Sequence, residues 1–280
     1  TLSVHDPMLD IKRAETEKVF NNAKLASSKK ADIVCFAKDF LNNEPANNCD
    51  LRIYCMRLVA YVNSHVPGIL DLTKKPITAY LDDSRYSELL LNFISEGAKS
   101  VVSQDDKYDK QVVLARECIM EILTDNLQSI NDAPRSNFFR NYIAALLNDQ
   151  TACDELTMQH LDDLADYDLN DLLSMLVNTF DTTGITLLWV FFSIESNPEI
   201  KQAIIDQEHE QQENPYALTN IHFTIIEAMR LYSIIPDAVS RATIRPSDIE
   251  VNGVRLHVPT GVRFFLDRQA ANCNPEVFPN

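Results

Sequence analysis

A mainly α-helical body followed by a small β element is the fold class this sequence predicts, and two observations predict it. Apolar residues recur at three- and four-residue steps through most of the chain as far as Ser233. Beyond Pro236 the period shortens to two, and Asn252-Gly253 separates two short alternating runs. The expected organisation is one incomplete domain over residues 1–280: a helical body at 1–235, short β hairpins at 236–266, and a terminal stretch at 267–280.

The elements follow in order. Val19 to Leu41 is a charged amphipathic stretch, stopped by the polar run Asn42 to Asn48. Leu51 to Val66 carries Ile53, Met56, Leu58, Val59 and Val62 on one broad face and ends at Pro67-Gly68, a helix stop. Tyr86 to Val102 and Val112 to Ile130 follow, the latter with Val113, Cys118, Ile119, Ile122 and Leu123 at helical spacing; Phe138 to Leu147 is shorter. An acidic passage from Asp154 to Asp171 leads into the most apolar run. There Leu169, Leu173, Leu176, Phe180, Gly184, Leu187 and Phe191 keep helical steps, so one continuous helix, buried nearly all round, is expected through Ile194. Asn197-Pro198 ends it. Pro198-Glu199 opens the next helix, because proline fits a first turn and an acid suits the positive end of the helix dipole. A further helix runs from Asn220 to Tyr232. Val239 to Ile244 then alternates, Ile249 to Leu256 reads as a hairpin, Pro259-Thr260-Gly261 as a turn and Val262 to Leu266 as a strand.

Composition narrows the function classes. The 280 residues carry a net charge of −16, which argues against nucleic acid and against an anionic membrane surface. Six cysteines (Cys35, Cys49, Cys55, Cys118, Cys153 and Cys273) lack paired spacing, and no signal-peptide pattern opens the chain, so a cytoplasmic, reducing compartment is expected. The apolar stretch around Leu187 is too short, and too near Asp181, to read as a membrane anchor. The sequence opens on Thr1 and stops at Asn280, and a fragment of a longer protein is expected.

The chemistry concentrates at Asp181. It is the only formal charge between Met175 and Ile194, and Thr182 and Thr183 follow at once. A carboxylate in such a helix must find hydrogen bonds, find a counter-charge or hold a proton, since desolvation penalises its ionised form. An acid beside an alcohol suits proton delivery; the bland alternative is a helix kink with back-bonded threonines. On the helix after Asn220, Glu227 and Arg230 stand three residues apart on one face among apolar neighbours, which makes a partly buried bidentate pair the expectation.

This order of residues resembles the cytochrome P450 family. Asn178-Thr179-Phe180-Asp181-Thr182-Thr183 is similar to its oxygen-binding A/G-G-x-D/E-T-T/S segment, and Asn197-Pro198-Glu199 to the NPE that follows. Glu227-x-x-Arg230 matches its E-x-x-R pair. Arg241, Asn252-Gly253 and Pro259-Thr260-Gly261 match the succeeding strands, and Asn274-Pro275-Glu276-Val277-Phe278 the DPxxF stretch. The resemblance is specific from Asp171 to Asn280 and weaker upstream, where Asp50 to Ile69 resembles a helix that often begins DL. It implies an incomplete fold of that family and a thiolate-ligated haem b enzyme. It also implies a small organic substrate and O2, with electrons from NAD(P)H through a ferredoxin or a flavoprotein reductase. In that light Asp181 and Thr182 are the catalytic proton relay, Thr179 lines the oxygen-binding segment, Arg241 meets a haem propionate, and Glu227 with Arg230 is a structural ion pair. Two departures stand out. Asn178-Thr179 replaces the family's small pair, and no cysteine lies in an F-x-x-G-x-x-x-C loop, so the chain supplies no metal ligand. A haem-free helper of the same fold is therefore the alternative.

A competing signal is Asp162-Asp163-x-x-Asp166, the DDxxD pattern of magnesium-dependent terpene synthases, which would group carboxylates on one helical side. A solvated acidic face near a helix N-terminus is the better reading, because no second acidic metal motif is present and the chain is acidic throughout. The six histidines show no metal-binding spacing, and His222 is expected to be packed.

Overall fold

The computed structural model describes residues 28–44, 49–92, 107–134, 137–210, 219–234, 241–264 and 267–278. The chain falls into two compact units, Thr1–Gly184 and Ile185–Asn280. Parts of two expected helices, 19–27 and 93–102, and the approach to the first strand at 235–240, lie outside the described residues.

In the first unit, α1 (Lys30–Asn43) lies beside α2 (Leu51–His65). Asp50 starts α2: its Oδ1 accepts from the Arg52 and Ile53 amides, satisfying two N–H groups that the helix itself leaves unpaired. The short α3 (Ile77–Leu81) and helical residues 87–92 lead to α4 (Lys107–Asp132), then α5 (Phe138–Leu147), α6 (Thr151–Asp154) and α7 (Met158–Asp162). Then α8 (Asp166–Asn178) lies along α4, and α9 (Asp181–Glu195) begins at the unit's end. The expected apolar faces form the core in large part: Met56, Leu58, Val59 and Val62 of α2 and Cys118, Ile119, Ile122 and Leu123 of α4 are buried, joined by Phe139 and Ile143 of α5 and Leu172, Leu173, Leu176 and Val177 of α8. Of the same expected faces, Ile53 is half-buried and Val113 is exposed.

One buried cation ties three of these elements together. Arg140, 3% exposed, donates to the carbonyls of Asn131, Ala133 and Pro134 (3.2, 2.8 and 2.7 Å), at and just past the end of α4. It also reaches Asp154 at the end of α6 (3.3 Å). Helix C-termini carry partial negative charge and unpaired carbonyls, so a guanidinium answers both needs at once.

In the second unit, the remainder of α9 precedes α10 (Pro198–Glu210) and α11 (Asn220–Leu231). Asn220 joins the last two, with its N–H on Gln207 Oε1 (2.6 Å) and its Nδ2 on the Ala203 carbonyl (3.1 Å). Strands β2 (Ser247–Val251) and β3 (Val254–Val258) form an antiparallel hairpin in which Val251 faces Val254 and Ser247 faces Val258. Its two turn residues both take positive φ, 52° at Asn252 and 77° at Gly253, as the sequence requires. A second two-stranded ladder pairs β1 (Arg241–Ala242) with β4 (Arg263–Phe264). Finally, α12 (Arg268–Asn272) is capped by Asp267, whose carboxylate accepts from the Ala270 amide.

Two expectations about the apolar rod need correction. It is not one continuous helix, because α8 ends at Asn178 and α9 begins at Asp181. Nor is it buried all round: Phe191 is 38% and Phe192 48% exposed, since apolar character on every face says nothing of how many faces find a partner. By length and composition alone, residues 166–195 could cross a membrane, a test that a core helix also passes. Leu172, Leu173, Leu176, Val177 and Phe180 of this rod are fully buried against protein.

Candidate functional site

The break in the rod is built from side chains. The Thr179 and Phe180 amides reach back only three residues, to the Leu176 and Val177 carbonyls (3.1 Å each), which tightens the turn. Thr179 Oγ1 donates to the Leu176 carbonyl (2.7 Å), and Thr182 Oγ1 to that of Asn178 (3.3 Å). The Thr179 carbonyl takes its hydrogen bond from Asn63 Nδ2 of α2, at 2.9 Å. Four-residue spacing resumes with the Gly184 amide on the Phe180 carbonyl (2.8 Å). Serine and threonine back-bonding and a foreign donor at a helix carbonyl are recognised causes of helix interruption, and no proline is needed. One turn later Gly184 lies so close to α2 that a Cβ there would sit 2.8 Å from Met56 Cα.

Asp181 opens α9 at this break and is 7% exposed. Its Oδ1 has no hydrogen-bond partner among the described residues. The nearest cation is Arg52 of α2, with Nη2 at 3.9 Å, beyond hydrogen-bonding reach. That same Nη2 donates to the Leu91 carbonyl at 3.0 Å, so the guanidinium is held slightly away from the carboxylate. Burial pushes the Asp181 carboxyl above the usual carboxylate range, and the Arg52 charge opposes this without cancelling it. Of the three outcomes available to a carboxylate in an apolar helix, a counter-charge at a distance is the one in place, and burial shifts the balance toward the protonated form. The next residues lie in successively wetter surroundings: Thr182 is half-buried and Thr183 exposed. Successive positions on a helix point about 100° apart, so a short segment spans the passage from core to surface.

The other expected residues do not join this cluster. Glu227 and Arg230 form the bidentate pair foreseen from their spacing, with Nε to Oε2 at 2.8 Å and Nη2 to Oε1 at 2.5 Å. Arg230 is largely covered, but half of the Glu227 side chain faces solvent. Arg230 also donates to the Asn272 carbonyl at 2.5 Å, closing the end of α12, and its guanidinium lies 4.8 Å from the Phe278 ring centroid. Arg241 contributes backbone to β1, and its side chain lies outside the described residues.

The solvated acidic face expected at 162–166 is present: Asp162 ends α7, Asp163 caps it and Asp166 begins α8, all three exposed. The helix break between them separates the carboxylates that the DDxxD alternative would group. Asp163 accepts from Gln159 and Asp166 pairs with Arg116 at 3.2 Å, and no metal-holding cluster of acidic, His or Cys side chains exists among the described residues. His222, expected to be packed, is exposed. A groove of about 310 Å³ is lined by Val112, Val113, Arg116, Glu117, Met120 and Asp166. It lies at the far end of α8, roughly 24 Å from Thr182 by helical rise, and does not serve the acid–hydroxyl site.

The cysteines test the fit of a thiolate-ligated metal. An axial ligand must ionise readily. Burial pushes the Cys55 thiol up to about 11 and the Cys118 thiol up to about 12, so these two stay protonated, and neither fits the role. Sequence reasoning missed Asn63 and Arg52. Nothing local singles out Asn63, whose partner is 116 residues away. Arg52 offers a signal: a cation in the first turn of α2 opposes the helix dipole and wants an acid elsewhere.

Comparison with known proteins accords with the order of these features. A sequence model of the cytochrome P450 family matches residues 57–280. The cyclooctat-9-en-7-ol 5-monooxygenase of Streptomyces melanosporofaciens is 29% identical over 119 residues, covering 40% of this chain and 25% of that protein. The mitochondrial sterol 26-hydroxylase of Rattus norvegicus is 28% identical over 107 residues, covering 35% of this chain and 19% of that protein. The matched stretches thus span a quarter or less of either relative.

Proposed function

The chain belongs to the cytochrome P450 family, and from that premise we propose that it is the central segment of a haem-thiolate monooxygenase that inserts one oxygen atom of O2 into a small organic substrate. Electrons would come from NAD(P)H through a ferredoxin or flavoprotein reductase. Haem, when bound, supplies the activation of dioxygen; its axial cysteine is not among the residues that fit here. What this segment supplies is proton handling. The observation that carries the reading is a buried acid, Asp181, next to Thr182 at a break in an otherwise apolar rod. A carboxyl that burial holds above the usual carboxylate range can take up and release a proton, and a hydroxyl can donate one while accepting another. The Asp181 side chain keeps 10% of its surface exposed, and that opening is where solvent would recharge it.

The test is made on the haem-loaded full-length protein. Thr182→Ala is expected to preserve the carbon monoxide difference spectrum of the reduced protein while diverting reducing equivalents into hydrogen peroxide. Unchanged coupling would remove Thr182 from the relay. A purified full-length protein without haem absorbance would instead select the haem-free helper.

A further inference from the structure

The family's usual small residue before Phe180 is here Thr179, whose branched side chain stiffens the backbone where a glycine would let it open. The rod is broken there nonetheless, and the bonds around the break show how. Thr179 is used at both ends: its hydroxyl binds the Leu176 carbonyl, and its own carbonyl is held by Asn63 Nδ2 from α2 at 2.9 Å. Leaving a carbonyl without its helical partner in a half-buried setting costs free energy unless another donor replaces it. Asn63 is such a donor. It stands on a helix whose spacing from the rod is fixed one turn further on by the Gly184–Met56 approach.

We infer that Asn63 is a positioning residue that holds the helix break open and so presents the Asp181-Thr182 couple, a task the family's glycine performs by flexibility alone. The inference rests on the monooxygenase reading for its purpose, but not for its physical content. With the Asn63 donor gone, the Thr179 carbonyl is free to recapture the Thr183 amide and restore the helical rung. Asn63 touches no reacting atom; it acts through Thr179.

The experiment compares the parent full-length protein with Asn63→Leu, the milder Asn63→Ser, and the double variant Asn63→Leu/Thr179→Gly. Hydrogen exchange is read at residues 179–184, alongside peroxide release and the melting temperature. The expected result is that both single variants slow exchange of the Thr183 amide by roughly threefold to tenfold, the range a single intramolecular hydrogen bond provides, and release more peroxide. Thr179→Gly should return coupling toward the parent value. A general acceleration of exchange, or unchanged exchange at 179–184 in both single variants, would overturn the inference. Failure of Thr179→Gly to restore coupling while exchange responds as expected would also overturn the presenting role. Because exchange is read without turnover, a protein that proves not to be a monooxygenase still answers whether Asn63 holds the break.

Discussion

The two units of this chain spend their apolar residues differently. Up to Gly184 many aliphatic and aromatic side chains meet one another in a core, and buried polar groups are tied in by hydrogen bonds, as where Arg140 reaches four carbonyls. From Ile185 onward only Val190, Ala228 and Val258 are buried among the described apolar residues, whereas Ile221, Phe223, Ile226 and Met229 of α11 are 42–54% exposed. The acid–hydroxyl couple lies on the well-packed side of this divide, and the Glu227–Arg230 pair on the sparse side. A proton-holding carboxyl needs dry, rigid surroundings, whereas an ion pair that closes the end of a short helix tolerates water. The contrast therefore teaches which motif depends on packing and which on hydrogen bonding alone.

The sharpest way to break that contrast is Arg140→Met. It takes the guanidinium from four carbonyls at the ends of α4 and α6, of which Pro134 keeps the Asn137 amide, and a loss of about 3–5 kcal/mol is expected from urea unfolding. If the first unit is independently packed, exchange protection at Ile119 to Leu123 falls while the fluorescence of Trp189, stacked on Tyr232 at 4.3 Å in the second unit, changes little. Equal responses of the two probes would erase the distinction. Gly184→Ala comes next. Its Cβ would meet the backbone of Met56, and overpacking of this kind costs about 1–3 kcal/mol, measurable as a lower melting temperature.

Asp181→Asn probes the same region by pH. The folded-state pKa of Asp181 is raised, chiefly by burial, so its ionised form weakens the fold at pH values above that pKa. The stability that goes with the protonated acid is present at low pH and is lost as pH rises through the folded pKa. The asparagine variant is thus expected to melt higher than the parent at neutral pH, with the advantage shrinking as pH falls. A constant difference across the acid range would show that the carboxyl does not titrate with folding. The smallest effect belongs to Glu227→Gln on the sparse side. With half of its side chain in water, the pair is expected to contribute under about 1 kcal/mol, and urea unfolding should barely move.

Much of this architecture was legible in the sequence. Phe138–Leu147 and the Asn252-Gly253 hairpin follow from local rules, periodicity in one case and positive-φ turn residues in the other, and both lie where those rules put them. The Glu227–Arg230 geometry is likewise local, three residues along a helix. What escaped is everything that depends on a distant partner. The interruption at 179–180 was half legible: back-bonded threonines were the alternative reading of Asp181-Thr182 and are present, but the Asn63 bond to the Thr179 carbonyl was not foreseeable. The exposure of Phe191 and Phe192 reflects missing neighbours rather than composition. At Asp162 the solvated face was legible, and the DDxxD alternative fails because i, i+1, i+4 spacing groups side chains only while the helix continues, and here it stops at Asp162.

The approach of Gly184 to α2 has an evolutionary corollary. The atoms a new methyl group would strike include the Cα and the backbone nitrogen of residue 56, which every amino acid shares. No replacement of Met56 can make room, so a second-site suppressor would have to shift a whole helix. Such a shift would move Asn63 away from Thr179 and Arg52 away from Asp181 together. The distances on which the polar chemistry depends are thus inherited as a set from the absence of one side chain.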